Sequence, residues 1–150
     1  MLKSLLVAAG LMLAAGAAHA CPNYALNGAT INASGSYLYQ PRSYDVIAGG
    51  GANLAGCLGF SGFVQSAPDF TLYYDRNGNY DLEIRVVSNC DAVLLVNGPN
   101  GRYFYDDDSN ASSYLDPRLY FSGGGSGIYD IWVGTIGTST CSARLELESY

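Results

Sequence analysis

Apolar and polar side chains alternate along residues 80–86, with Leu82, Ile84 and Val86 on one face and Glu83 and Arg85 on the other. Residues 143–148 repeat the pattern, setting Leu145 and Leu147 against Arg144, Glu146 and Glu148. A period of two marks a strand with one face in a core and one in water, so Glu83, Arg85, Arg144 and Glu146 are expected at the surface. Ala92 to Val96 is a continuous apolar run with β-branched Val93 and Val96, the pattern of a central strand. Ile128 to Val133 is β-branched and aromatic and follows the glycine-rich stretch 123–127. Weaker strands are predicted near Tyr37–Gln40, Tyr44–Ala48, Gly62–Gln65, Phe70–Tyr74, Arg102–Tyr105 and Arg118–Phe121. Asn77-Gly78, Asn97-Gly98 and Asn100-Gly101 are turn dipeptides because both residue types tolerate positive φ. No helix is expected. Many short strands separated by turns every ~8–12 residues argue one all-β domain, a sandwich or a barrel. Its core is expected to hold Phe70, Leu72, Leu82, Ile84, Val86, Val93, Leu95, Ile131, Val133, Leu145 and Leu147.

The chain begins differently. Lys3 is followed by an apolar stretch from Leu5 to Ala18, and Ala18-His19-Ala20 has the small-x-small form of a cleavage site. Residues 1–20 therefore read as a secretory signal peptide, too short in its apolar part to span a bilayer, and the protein is expected in the periplasm or outside the cell. Ala18 stands where a lipoprotein signal carries a bulky aliphatic residue, so ordinary cleavage is favoured over lipid attachment at Cys21. Residues 21–150 hold six Arg, no Lys and no His against thirteen carboxylates, a formal net charge of −7. That balance excludes a nucleic-acid binder, which needs cations for phosphates. Four cysteines, Cys21, Cys57, Cys90 and Cys141, read as two disulfides in an exported chain, with three pairings open. Their wide spacing fits no zinc motif.

Composition also removes most catalytic machinery. Without His or Lys, no serine–histidine or serine–lysine dyad forms. The runs Gly49-Gly50-Gly51 and Gly123-Gly124-Gly125 match neither a phosphate-binding loop nor a dinucleotide fingerprint. Only paired carboxylates remain for hydrolysis, so the chain is expected not to be an enzyme, with a small secreted carboxylate-dependent hydrolase as the alternative. Two features stand out beyond this. Asp106-Asp107-Asp108-Ser109-Asn110, with Asp116 beyond, gathers oxygen ligands in one turn. Adjacent carboxylates repel, and a calcium ion held by Asp106, Asp108, Asn110 and Asp116 would relieve them. Ala111 and Pro117 stand where an EF-hand needs Gly and an acid, so this is no EF-hand. The second feature is thirteen tyrosines. Tyr37 and Tyr39, and likewise Tyr103 and Tyr105, fall on one face of a predicted strand. Cross-strand packing is their ordinary role; stacking on sugar rings at Tyr103 and Tyr105 is the functional one.

Several landmarks recur in order: Asp69-Phe70-Thr71-Leu72, the run from Cys90 to Val96, Pro99-Asn100-Gly101, Asp106-Asp107-Asp108, Leu115-Asp116-Pro117, and Ser126-Gly127-Ile128-Tyr129 leading into Val133-Gly134. With them, residues 69–148 resemble the bacterial pre-peptidase C-terminal domain. The resemblance implies a jelly-roll-like antiparallel β-sandwich over residues 21–150, with 21–68 as a less regular N-terminal part. It also implies the pairing Cys90–Cys141, leaving Cys21–Cys57 to tie down that part. Such modules accompany exported enzymes, and related ones bind calcium and extracellular polymers. Here no protease domain accompanies the module, so the expected function is a non-enzymatic exported binding or accessory module. Its expected partner is a protein, a polysaccharide or another envelope component.

Overall fold

The computed structural model describes residues 20–110 and 115–150; the expected signal peptide lies, except for Ala20, outside them. Eleven strands form two packed sheets among the described residues. The larger contains β1 (Ala29–Ser34), β3 (Ala52–Asn53), β4 (Phe63–Val64), β5 (Phe70–Asp75), β7 (Ala92–Asn97), β8 (Tyr103–Asp106) and β10 (Gly127–Thr135). The smaller contains β2 (Arg42–Ala48), β6 (Leu82–Ser88), β9 (Arg118–Phe121) and β11 (Cys141–Ser149), in the order β2-β11-β6-β9. The all-β sandwich read from the alternation is the fold. One pairing departs from the antiparallel expectation: β1 runs parallel to β5, Ala29 beside Phe70 through Ser34 beside Asp75. The N-terminal part is not an appendage, for it supplies β1 to one sheet and β2 to the other.

Apolar residues on β10 point both ways. Tyr129, Ile131 and Val133 enter the core between the sheets with Leu72, Ile84, Leu94, Leu145 and Leu147. Trp132 points to the outer face, where it meets Val93, Leu95, Ala52, Leu54 and Val64 in a second core. The residues expected in the core are all buried, but Val93 and Leu95 belong to this second cluster. Its cover comes from β3, β4 and the single turn α2 (Leu54–Cys57), capped by Asn53, whose side chain accepts from Ala55 N at 3.0 Å. The backbones lie so close that a Cβ on Gly134 would collide with the Phe63 carbonyl, and one on Gly50 with the Val64 backbone. Disulfides join Cys21 to Cys57 and Cys90 to Cys141. The first fastens the segment before β1 to α2, and the second joins the start of β11 to the turn before β7.

The strand predicted at Tyr37–Gln40 is instead another single turn, α1 (Gly35–Leu38). Ser34 Oγ accepts from Tyr37 N at 3.2 Å, and this local bond offers the backbone an alternative to a ladder. Tyr37 and Tyr39 therefore do not share a strand face.

The expected solvent face of β6 and β11 is also different. Arg144 is exposed, but Glu83 is 5% exposed and Arg85 and Glu146 are half-buried. The register sets Glu83 opposite Glu148 and Arg85 opposite Glu146. Arg85 Nη1 lies 2.6 Å from both Glu83 Oε1 and Glu148 Oε2, and its Nε lies 2.9 Å from Glu146 Oε2. One guanidinium thus serves three carboxylates, with Arg118 and Arg144 at the rim. Removing the central cation from partly buried carboxylates costs far more than losing a surface ion pair. Arg85→Met should destabilise the fold by about 3 kcal/mol at neutral pH. The cost should shrink at acid pH, where protonation relieves the repulsion. Urea unfolding at the two pH values measures this, and a change below about 0.5 kcal/mol would return these residues to an ordinary surface.

Candidate functional site

One end of the sandwich is built around the β7–β8 turn. Asn97, Gly98, Pro99, Asn100 and Gly101 close it, with Gly98 N donating to Arg102 O at 2.9 Å and Gly101 N to Gly98 O at 2.9 Å. Gly101 takes φ +74°, the left-handed conformation foreseen for this dipeptide. Pro99 leans on Gly127, where a Cβ would strike its ring. The turn therefore stands as a ridge with a cleft on each side, Pro99 lining both.

The first cleft, about 420 Å³, opens where the edges of the two sheets meet. Phe104, Phe121 and Tyr129 line it edge to face, with centroids 5.0 and 5.5 Å apart. Tyr129 OH donates to Gly125 O at 2.9 Å, and burial pushes this phenol up to about 12. The glycine-rich loop is held by Asp81, which accepts from Gly123 N at 2.6 Å and from Tyr120 OH at 2.7 Å. Those two donors, Gly123 first, hold the Asp81 carboxyl below the usual range.

The second cleft, about 470 Å³, lies on the outer face of the larger sheet. Asn97 and Asp130 line it as the middle of a row fixed by strand register, Tyr103 beside Asn97, Asn97 beside Asp130, Asp130 beside Thr71. Asn97, Asp130 and Thr71 are all buried, Asp130 to 6% exposure. Thr71 Oγ1 donates to Asp130 Oδ1 at 2.8 Å and accepts from Gly28 N at 3.0 Å, which lays the N-terminal segment along the row. Asn97 Nδ2 donates to Gly101 O at 3.1 Å. Burial pushes the Asp130 carboxyl up, and the Thr71 hydroxyl offsets this only in part. Tyr24 and Ile128 stand exposed at the mouth. Trp132, two residues along β10, is fully buried, and its Nε1 has no hydrogen-bond partner among the described residues.

The site residues singled out in the sequence are distributed differently. Tyr105 stacks on Phe60 at 4.7 Å with rings parallel, and Tyr103 packs between Tyr24 and Trp132. Both are half-buried members of the second core. The acidic stretch is drawn apart by its own hydrogen bonds. Asp106 Oδ2 accepts from Ser109 N at 3.0 Å and Arg118 N at 2.8 Å. Asp116 is fully buried and accepts from Ser88 N at 3.1 Å and Ser88 Oγ at 2.6 Å. Asn110 is buried and its Nδ2 donates to Val86 O at 3.0 Å. Asp108 is exposed, its carboxyl raised by desolvation and by Asp107, Asp91 and Asp106. Among the described residues no group of three or more His, Cys, Asp or Glu side chains is placed to hold a metal ion. Asp130 goes unnoticed in the sequence, and Asn97 reads only as half of a positive-φ turn dipeptide, whereas it ends β7 and neither it nor Gly98 takes positive φ. The one available signal was polar residues at outward positions of strands otherwise apolar on both faces.

No protein-family model matches the chain, and no curated protein matches it. Among solved structures it is similar to Aeromonas hydrophila PliG, a periplasmic inhibitor of g-type lysozyme. The identity is 11%, the match covers 83% of this chain and 98% of that one, and the TM-score is 0.43. A likeness this slight carries neither fold detail nor partner across.

A further carboxylate sits just before β5. Asp69 Oδ2 accepts from Val133 N at 2.7 Å, and burial, outweighing that bond, pushes its carboxyl from 3.8 up to about 6. Between those values the unfolded chain gives up its proton first, so this group's contribution to stability falls as pH rises and levels off above about 6. Asp69→Asn keeps the acceptor for Val133 N and removes the titration. Urea midpoints across this range should show wild type losing stability relative to Asp69→Asn as pH rises; parallel curves would place Asp69 in water.

Proposed function

We propose that the protein is an exported, non-enzymatic binding module that grips a protein partner with the sandwich end around Pro99. The observation that carries this reading is the pair of clefts sharing that ridge, one aromatic and one polar, with Tyr24, Tyr120 and Ile128 exposed around them. An apolar floor beside a few convergent polar groups is the usual anatomy of a recognition site. Two disulfides suit an oxidising compartment. The described residues hold no His or Lys, and every cysteine is bridged, which leaves the clefts without a nucleophile–base pair. The resemblance to pre-peptidase C-terminal modules fits the same role.

The test is affinity capture from the envelope fraction with the protein cleaved after Ala20. A second bait, the double variant, carries Tyr120→Ala and Ile128→Ala; because Tyr120 also donates to Asp81, Tyr120→Phe with Ile128→Ala is a third bait that separates loss of this hydrogen bond from loss of the exposed ring. A partner retained by wild type and lost by the double variant supports the reading. Equal capture by both places the binding surface elsewhere. Turnover of a glycan or peptide substrate, lost in Asp130→Asn or Asp69→Asn, would restore the carboxylate-dependent hydrolase.

A further inference from the structure

Resting on that reading, we infer that the cleft over Asp130 receives the guanidinium of an arginine side chain from the partner protein. Two oxygens of its buried side chains, one on Asp130 and one on Asn97, are acceptors in want of donors. Asp130 Oδ1 is occupied by Thr71, while Oδ2 makes no hydrogen bond among the described residues. Asn97, paired directly with Asp130, spends its Nδ2 on Gly101 O and leaves Oδ1 as its free end. No Lys, Arg or His lines the cleft. Glu83, by contrast, is met by Arg85 and Arg118, and the fully buried Asp116 by two donors from Ser88. A carboxylate 6% exposed whose one hydrogen bond comes from a neutral hydroxyl is poorly compensated, and a cation entering the cleft would compensate it.

The walls favour guanidinium over ammonium. Tyr24 lines the cleft and meets Tyr103 edge-on, with ring centroids 6.3 Å apart. A planar cation with five donors can stack on such a ring while bonding a carboxylate and an amide oxygen side by side. Raised exposure of Tyr24 (57%) and Ile128 (45%) at the mouth gives flanking residues of a partner something apolar to cover, which a free small cation would not do. The excess of thirteen carboxylates over six arginines in residues 21–150 attracts a basic partner over distance.

The experiment is an amide-resonance titration of the cleaved protein with Nα-acetyl-arginine amide, its neutral isostere Nα-acetyl-citrulline amide, and the peptide acetyl-Leu-Arg-Leu amide. The arginine derivative should move resonances of Asn97, Gly98 and Ser126 to Asp130, and the peptide should bind about tenfold tighter. Asp130→Asn, which keeps an oxygen for Thr71 and sheds a buried charge, should weaken both by about tenfold or more. Asp45→Asn, the same charge change on the other sheet, should not. An equal response to citrulline, or equal weakening by Asp45→Asn, would overturn the assignment, as would a neutral oligosaccharide binding where arginine does not. Equal affinity of peptide and single residue would make this a small-cation site and overturn the partner side chain. A partner captured as well by Asp130→Asn as by wild type would overturn the arginine assignment while leaving the binding-module reading intact.

Discussion

Strand β10 carries apolar residues on both faces, and neither face can be left to water. The inner set joins the sandwich core, while Trp132 on the outer side needs a roof of its own. The stretch between β2 and β5 answers that need. The segment 49–66 folds down over Val93, Leu95 and Trp132, and two glycines let the backbones approach where any side chain would intrude. A bridge from Cys57 to Cys21 holds the preceding strap in place. Burying a side chain of this size is worth roughly 1.5–3 kcal/mol, so the roof contributes to stability as well as shape.

The strands that alternate cleanly, β6 and β11, were legible in the sequence, as were the apolar runs of β7 and β10. The period-two rule locates a side chain's face and says nothing of what neighbouring strands bring to that face. Glu83 and Arg85 therefore looked solvated, and only the pairing with β11 shows three carboxylates meeting one guanidinium. Strand β1 escaped notice because Ala29, Asn32, Ala33 and Ser34 have little intrinsic strand preference; its parallel partner β5 holds it in place. Asp130 was invisible for a similar reason, since its neighbours Asn97 and Thr71 lie 33 and 59 residues away along the chain and meet it through register alone.

The two sheets handle charge in opposite ways. On the outer face of the smaller one, Glu83, Glu146 and Glu148 each have a cation within reach, and that face is closed electrostatically as well as sterically. On the larger one, Asp130 and Asp69 are stabilised by neutral donors, a hydroxyl and a backbone N–H. Such donors soften the cost of burial without cancelling the charge. The smaller sheet's charges therefore belong to its architecture, whereas the larger sheet retains a local field that faces outward beside the Pro99 ridge.

Strand order carries a consequence for the time course of folding. In the smaller sheet β11 lies between β2 and β6 and pairs with both. Synthesis runs from the N-terminus, so β2 and β6 emerge long before the strand that must separate them. Until residues 141–149 arrive, each exposes an unpaired edge and an apolar face. Pairing across such sequence distances is slow, and waiting edges invite association between chains. Assembly of that sheet is therefore a late event, completed only once residues 141–149 are present.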